Sequence, residues 1–213
     1  MRLGIYGGSF DPVHYGHLLL AESCREQLAL DAVWFLPAAV PPHKQQRQLA
    51  TAGTRIEMLE LAIGGHEAFA VCTYEIDRGG VSYTVDTLAH LRQEDPTREL
   101  FFLMGADSLG DLPTWREPAR ICELAVPVVV DRRGASVGGE GDMFSVLGDV
   151  VDAKRLETIR QHLVRMPRID LSSSEIRRRV AAGESVRYRT PRAVEKYIGA
   201  QKLYRGESTA GNG

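Results

Sequence analysis

MRLGIYGGSFDPVHYGHLLLAESC, residues 1–24, carries a strand, a turn and a helix in immediate succession. Residues 2–6 form a short apolar run that reads as a buried strand, and it ends on Gly7-Gly8. His14 and His17 then mark the start of a helix expected over residues 16–28. A glycine turn opening a helix lets the backbone approach a ligand and offers free N–H groups to an anion. The stretch is not a P-loop, which needs Gly-Lys-Ser/Thr after a second glycine. It is not a dinucleotide fingerprint either, because Gly4, Gly7 and Gly8 do not fit Gly-x-Gly-x-x-Gly.

The same alternation continues downstream. Strands are expected at residues 32–37, 69–76, 99–105, 125–132 and 168–171. Helices are expected between them, at 84–94, 117–124 and 153–163. Thr54 with Glu57 reads as a capping box, followed by an apolar face of Ile56, Leu59 and Ile63 and closed by Gly64-Gly65. Ser172 with Glu175 reads as a second box, and Thr190 as the cap of a last helix that begins at Pro191. Near-continuous apolar strands separated by helices predict an α/β fold: a doubly wound parallel sheet covered on both faces, with a small C-terminal helical part. Residues 1–204 are expected to be one domain and 205–213 a disordered tail, with a mobile glycine-rich loop at 132–142.

Composition narrows the function. The chain has 213 residues, a net charge of -2 and 25% charged residues, which gives no general attraction to nucleic acid. The three cysteines, Cys24, Cys72 and Cys122, form no Cys-x-x-Cys pair and lie in apolar surroundings. They read as small core residues, not as a disulfide framework or a zinc site. There is no signal-like N-terminus and no apolar run of membrane-spanning length, so a cytoplasmic protein is expected.

In a parallel sheet, ligands bind beyond the carboxyl ends of the strands. That rule gathers Gly7-Gly8, the loop after Pro37, the Gly105-Ala106-Asp107 turn and the Ser172 helix start on one rim. His14 and His17 have no companion Glu or Cys set for a metal. They suit phosphate chemistry, where N–H donors meet developing negative charge, or else serve as cap or surface residues. Lys44, beside His43 in a proline-bounded loop, is a phosphate clamp or solvated surface. Ser172, Ser173 and Arg177 form a second anion cradle, while Arg178 and Arg179 point to other faces. Trp115 either packs inward or stacks on a flat ligand. The N–H groups at Tyr83 and Thr84 suit a carboxylate, and Asp107 a sugar or a cap. Two phosphate cradles without a nucleophilic Ser or Cys system suggest nucleotidyl transfer. The acceptor can itself be a phosphate, already ionised at neutral pH with a second pKa near ~6, so no general base is needed.

These residues resemble a known family. GGSFDPVHYGH is similar to the His-x-Gly-His signature of the nucleotidylyltransferase superfamily, and LSSSEIRRR to its second motif, with Leu171 in place of the usual Ile. With PPHK, VSYTVDTL, GADSL, LPTW and TPRAVEKYI, the chain from residue 2 to about residue 204 resembles the bacterial nicotinate-nucleotide adenylyltransferases. The resemblance implies a Rossmann-like nucleotidylyltransferase fold and transfer of AMP from ATP to nicotinate mononucleotide, with Mg2+ carried by the ATP phosphates. It implies an ATP site of Gly7, Gly8, Ser9, Phe10, His14, His17, Gly105, Asp107, Ser172, Ser173 and Arg177. His17 would stabilise the transition state at the α-phosphoryl group. It implies an acceptor site of Ser9, His43, Lys44, Tyr83, Thr84, Asp107 and Trp115. His14, His17, Lys44 and Arg177 would carry the chemistry.

The rivals are adenylyl or cytidylyl transfer to another acceptor such as phosphopantetheine, a synthetase-like fragment, and a nucleotide-sensing or RNA-binding module. The last is motivated by Arg177, Arg178 and Arg179 with Arg187, Arg189 and Arg192. The expected partners are small molecules, with no nucleic acid and no membrane. Oligomeric state is left open, a homo-oligomer included.

Overall fold

The computed structural model describes residues 1–40, 49–131 and 142–205. Among them six strands form one parallel sheet: β1 (Arg2–Gly8), β2 (Ala32–Pro37), β3 (Phe69–Val71), β4 (Glu99–Gly105), β5 (Val126–Asp131) and β6 (Val164–Arg165), in the order β3-β2-β1-β4-β5-β6. The chain winds outward from β1 to β3, then crosses back to lay β4 on the other side of β1. The order therefore reverses between β1 and β4, and that is where a crevice opens beyond the strand ends.

Strand alternation feeds two cores. Tyr6, Val33, Phe35, Phe101 and Leu103 face a layer that includes Leu20, Met58 and Leu59. Leu3, Ile5, Leu100, Phe102 and Met104 face the opposite layer, with Leu88, Leu91 and Ile121. The first layer is built from α1 (Tyr15–Gln27), α2 (Ala52–Ile63) and α9 (Arg192–Ala200), whose Val194 and Ile198 join the same core. The second is built from α4 (Thr84–Glu94), α5 (Ala106–Asp111), α6 (Pro118–Leu124) and α7 (Ala153–Gln161). Two further helices, α3 (Tyr74–Arg78) and α8 (Ser173–Ala181), complete the set.

Several local expectations are corrected. The third strand stops at Val71, and residues 74–78 are helical. Tyr74 leaves the sheet edge to stack on His90 at 3.8 Å, and Glu75 turns inward to Thr87. The last strand is Val164–Arg165, not 168–171; Ile169 packs against the core without a partner strand. Thr51, not Thr54, caps α2, accepting the Thr54 N–H at 3.2 Å. Arg55, Met58 and Leu59 lie on its buried face, while Ile56 is half-buried. Thr190 caps nothing: its hydroxyl donates to the Val13 carbonyl at 2.7 Å, and Pro191 occupies the cap position. Cys24 and Cys122 are buried, but Cys72 is only half-buried. The expected loop at 132–142 falls outside the described residues except for Asp142, and the expected tail except for Arg205.

Candidate active site

β1 ends on Gly8, whose carbonyl accepts the Ala38 N–H at 2.9 Å. A Cβ at Gly8 would lie 3.0 Å from the Phe10 ring, which would have to shift for any larger residue. Phe10 is fully buried against Tyr6, Phe35 and His17. Its side chain plugs the core beneath the turn.

The chain then enters α1 through a box built by imidazoles. His14 is the N-cap, and its Nδ1 accepts the Gly16 N–H at 3.1 Å. His17 reciprocates: its Nδ1 accepts the His14 N–H at 3.2 Å. The rings stack at 3.7 Å. With both Nδ1 atoms accepting, the neutral tautomers assigned from this network carry their protons on Nε2, which makes each ring an Nε2–H donor. A Cβ on Gly16 would meet the His14 ring at 3.0 Å. The His-x-Gly-His spacing is thus a geometric requirement: a small residue under the first ring, and the second ring one turn on.

α8 docks on the same turn. Ser172 caps it, accepting the Glu175 N–H at 3.2 Å. Ser173 Oγ donates to the Pro12 carbonyl at 2.9 Å. Arg177 donates to the Asp11 carbonyl, lies 3.6 Å from its carboxylate, and reaches Ser174 Oγ at 3.0 Å. Arg178 pairs with Glu175 and Glu184, and Arg179 with Glu184. Of the three arginines, Arg177 turns to the β1 loop, as the helical spacing predicts. Gly105 ends β4 on the far side of the switch, and Asp107 follows it, exposed in the first turn of α5. His43 and Lys44 lie outside the described residues.

A cavity of about 180 Å³ opens at the start of α4. Its lining includes Ser82, Tyr83, Thr84, Trp115, Arg116 and Ile121. Tyr83 is the N-cap of α4 and supplies no side-chain cap, so the first-turn N–H groups are not closed off by it. Arg116 lies 4.8 Å over the Tyr83 ring and pairs with Asp86 at 3.7 Å and Glu117 at 3.6 Å. Phe102 links the two regions: its ring lies 5.9 Å from Trp115, and a Cβ on Gly7 would touch it at 3.9 Å. Ser82 Oγ also accepts the Ala39 N–H at 2.9 Å, one residue beyond the Ala38–Gly8 bond. The glycine turn, the histidines and the Trp115 cavity therefore share one rim.

Sequence reasoning missed the buried polar support of that rim. Arg55 donates to the carbonyls of Ser9 (3.1 Å), Ala38 (2.8 Å) and Ala50 (3.1 Å). Burial pulls its pKa down, while Asp11 and Tyr204 oppose the fall. The available signal was spacing: Arg55, Leu59 and Ile63 fall four apart, on one helical stripe. Tyr204 carries no local signal at all.

Residues 5–179 match the family described as cytidylyltransferase-like. A relative from Thermomicrobium roseum, named a probable nicotinate-nucleotide adenylyltransferase, is 48% identical over 96% of this chain and 92% of its own length. The chain belongs to this adenylyltransferase family. A second relative, from Thermus thermophilus and with the same name, is 45% identical over 96% of this chain and 100% of its own. A solved structure of the Plasmodium falciparum nicotinic acid mononucleotide adenylyltransferase, complexed with NaAD, is similar in fold. Its TM-score is 0.72 at 18% identity, over 95% of this chain and 97% of that one. Membership makes the chain a nucleotidyltransferase.

Proposed function

We propose that this chain transfers the adenylyl group of Mg–ATP to nicotinate mononucleotide, giving deamido-NAD and pyrophosphate in NAD biosynthesis. The observation that carries the reading is the cavity of Tyr83, Thr84 and Trp115 set beside the paired histidines of the β1 exit. A phosphate oxygen of the acceptor attacks the α-phosphorus. The bond to the bridging oxygen breaks, and pyrophosphate leaves with the electron pair. No proton needs removing, because the acceptor phosphate is already ionised. Catalysis is alignment plus charge neutralisation.

His14 and His17 supply Nε2–H donors to the phosphates, with His17 at the α-phosphoryl oxygen. The backbone at Gly7, Gly8, Ser9 and Phe10 approaches the ATP closely. Ser173 and Arg177 hold the β- and γ-phosphates. A guanidinium has five N–H donors, and the bonds of Arg177 to Asp11 and Ser174 set its plane. Gly105 and Asp107 meet the ribose. His43 and Lys44, outside the described residues, are assigned to the acceptor and the phosphates by chemistry alone. Among the described residues no group of three or more His, Cys, Asp and Glu side chains could hold a metal ion. Mg2+ is assigned to the ATP substrate, bound to its phosphates, as this ion commonly is. No helix among the described residues is long and apolar enough to cross a membrane, and we place the enzyme in the cytoplasm with its substrates.

The acid is preferred over the amide. N–H groups at the start of α4, with Arg116 nearby, suit a carboxylate, whereas an amide NH2 would face donors and leave them unpaired. The test is pyrophosphate release with Mg–ATP and, in parallel, nicotinate mononucleotide, nicotinamide mononucleotide or phosphopantetheine, with product masses recorded. Release with the first alone, at the deamido-NAD mass, is expected. Equal turnover of the amide removes the selectivity argument. Turnover of phosphopantetheine instead moves the acceptor away from Trp115.

A further inference from the structure

A polar cluster of Asp11 and Tyr204 lies beneath the β1 exit and reaches Arg177. Asp11 is 1% exposed. Its Oδ1 accepts the Tyr204 hydroxyl at 2.6 Å and the Ala50 N–H at 3.4 Å. Its Oδ2 makes no hydrogen bond and lies 3.6 Å from Arg177 Nη1, which donates to the Asp11 carbonyl. Tyr204 follows α9, 193 residues from Asp11 in sequence. The chain reaches it through two left-handed non-glycine residues, Lys202 at φ 53° and Tyr204 itself at φ 59°. Such conformations cost energy and persist where the surroundings hold them. Burial and the neighbouring carboxylate raise the Tyr204 pKa, so its hydroxyl stays a donor across the working pH range.

A buried carboxylate must be satisfied. Oδ1 is satisfied by Tyr204 and Ala50, which leaves Oδ2 3.6 Å from Arg177, while the guanidinium donates to the Asp11 carbonyl and to Ser174 Oγ. Without the tyrosine hydroxyl, the carboxylate is left to turn toward the guanidinium and take over its donors. We propose that Tyr204 is a positioning residue of the transfer site, holding the Asp11 carboxylate so that Arg177 stays directed at the ATP phosphates. The proposal rests on the reading of Arg177 as a phosphate ligand. It ties the C-terminal end of the fold to the chemistry at β1.

The test is a cycle of Tyr204→Phe, Arg177→Lys and the double variant, read by calorimetric Mg–ATP affinity, by the Michaelis constant for nicotinate mononucleotide and by thermal melting. Tyr204→Phe keeps the ring and removes only the donor. ATP affinity should fall roughly tenfold, because small misplacements of a binding group are costly. The acceptor constant should stay within about twofold, and the loss should largely vanish on the Arg177→Lys background. Unchanged ATP affinity overturns the proposal. So does an equal loss on both backgrounds, or a rise in both substrate constants with a lowered melting temperature. If Tyr204→Phe does not fold, Asp11→Asn replaces it in the cycle, and an additive loss with Arg177→Lys is then the overturning result. Failure of the wild type to release pyrophosphate sinks the function but leaves the ATP-affinity cycle to judge Tyr204.

Discussion

Gly16 shows how a single hydrogen atom in place of a methyl group shapes the site. The His14 ring lies over it, and an added Cβ would sit 3.0 Å away. Gly16→Ala should push the ring off its cap and misalign its Nε2–H donor. We expect kcat to fall at least about tenfold, since misplacing a catalytic donor by an ångström costs orders of magnitude. Stability should drop by only about 1 kcal/mol, the value of a helix cap. Parallel kinetics and melting check this; unchanged kcat would mean that the ring is not a donor to the substrate. Trp115 separates binding from chemistry. Trp115→Ala should raise the acceptor Michaelis constant about 5- to 150-fold, from a stacking contribution of roughly 1–3 kcal/mol, and leave the constant for ATP alone. An unaltered acceptor constant would make Trp115 a packing residue beside Phe102. Both residues stood out in the sequence because their motifs bring them forward. Arg55 did not, since a cation within an apolar stripe reads as a solvated neighbour until the three carbonyls it serves are seen.

At the scale of elements, the strands β1, β2 and β4 and the helix α4 are readable because local and tertiary preferences agree there. Their apolar runs are bounded by glycine, proline or polar residues, and buried parallel strands need little else. Agreement fails at the sheet edges. β3 has one neighbouring strand, so pairing cannot hold residues 72–76 extended once Tyr74 finds His90 and Glu75 finds Thr87. Glu75 is itself testable. It is 6% exposed, and burial raises its pKa, against the hydrogen bonds of Thr87 and Ser82. Below its unfolded value both states are protonated. As pH rises, the unfolded chain releases its proton first, so the group costs stability that grows until the folded form ionises too. Glu75→Gln should therefore melt higher than the wild type at pH 7, and the gain should disappear toward pH 4. A variant that melts lower at pH 7 would show that the ionised carboxylate is the form the fold requires.

Across the whole molecule, polar groups below the rim hold the crossing of sheet and helices. Arg55 joins α2 to the turn after β1 and to the segment after β2 through carbonyls of Ser9, Ala38 and Ala50. Arg55→Met would leave three carbonyls without their donor. We expect a loss of about 3 kcal/mol or more, seen as a melting temperature lower by roughly 6–12 °C for a chain of this size. A loss below about 1 kcal/mol would show that the carbonyls find other donors. The sequence by itself determined the parallel α/β architecture and the gathering of the strand exits, with His14 and His17 at a helix start, on one rim, because periodicity and glycine turns are local signals. Only the tertiary structure decided where β3 ends and that Asp11, Arg55, Arg177 and Tyr204 meet in one polar cluster. Those outcomes depend on contacts between residues far apart in the chain, and the burial that makes such a contact favourable exists only once the layers have packed.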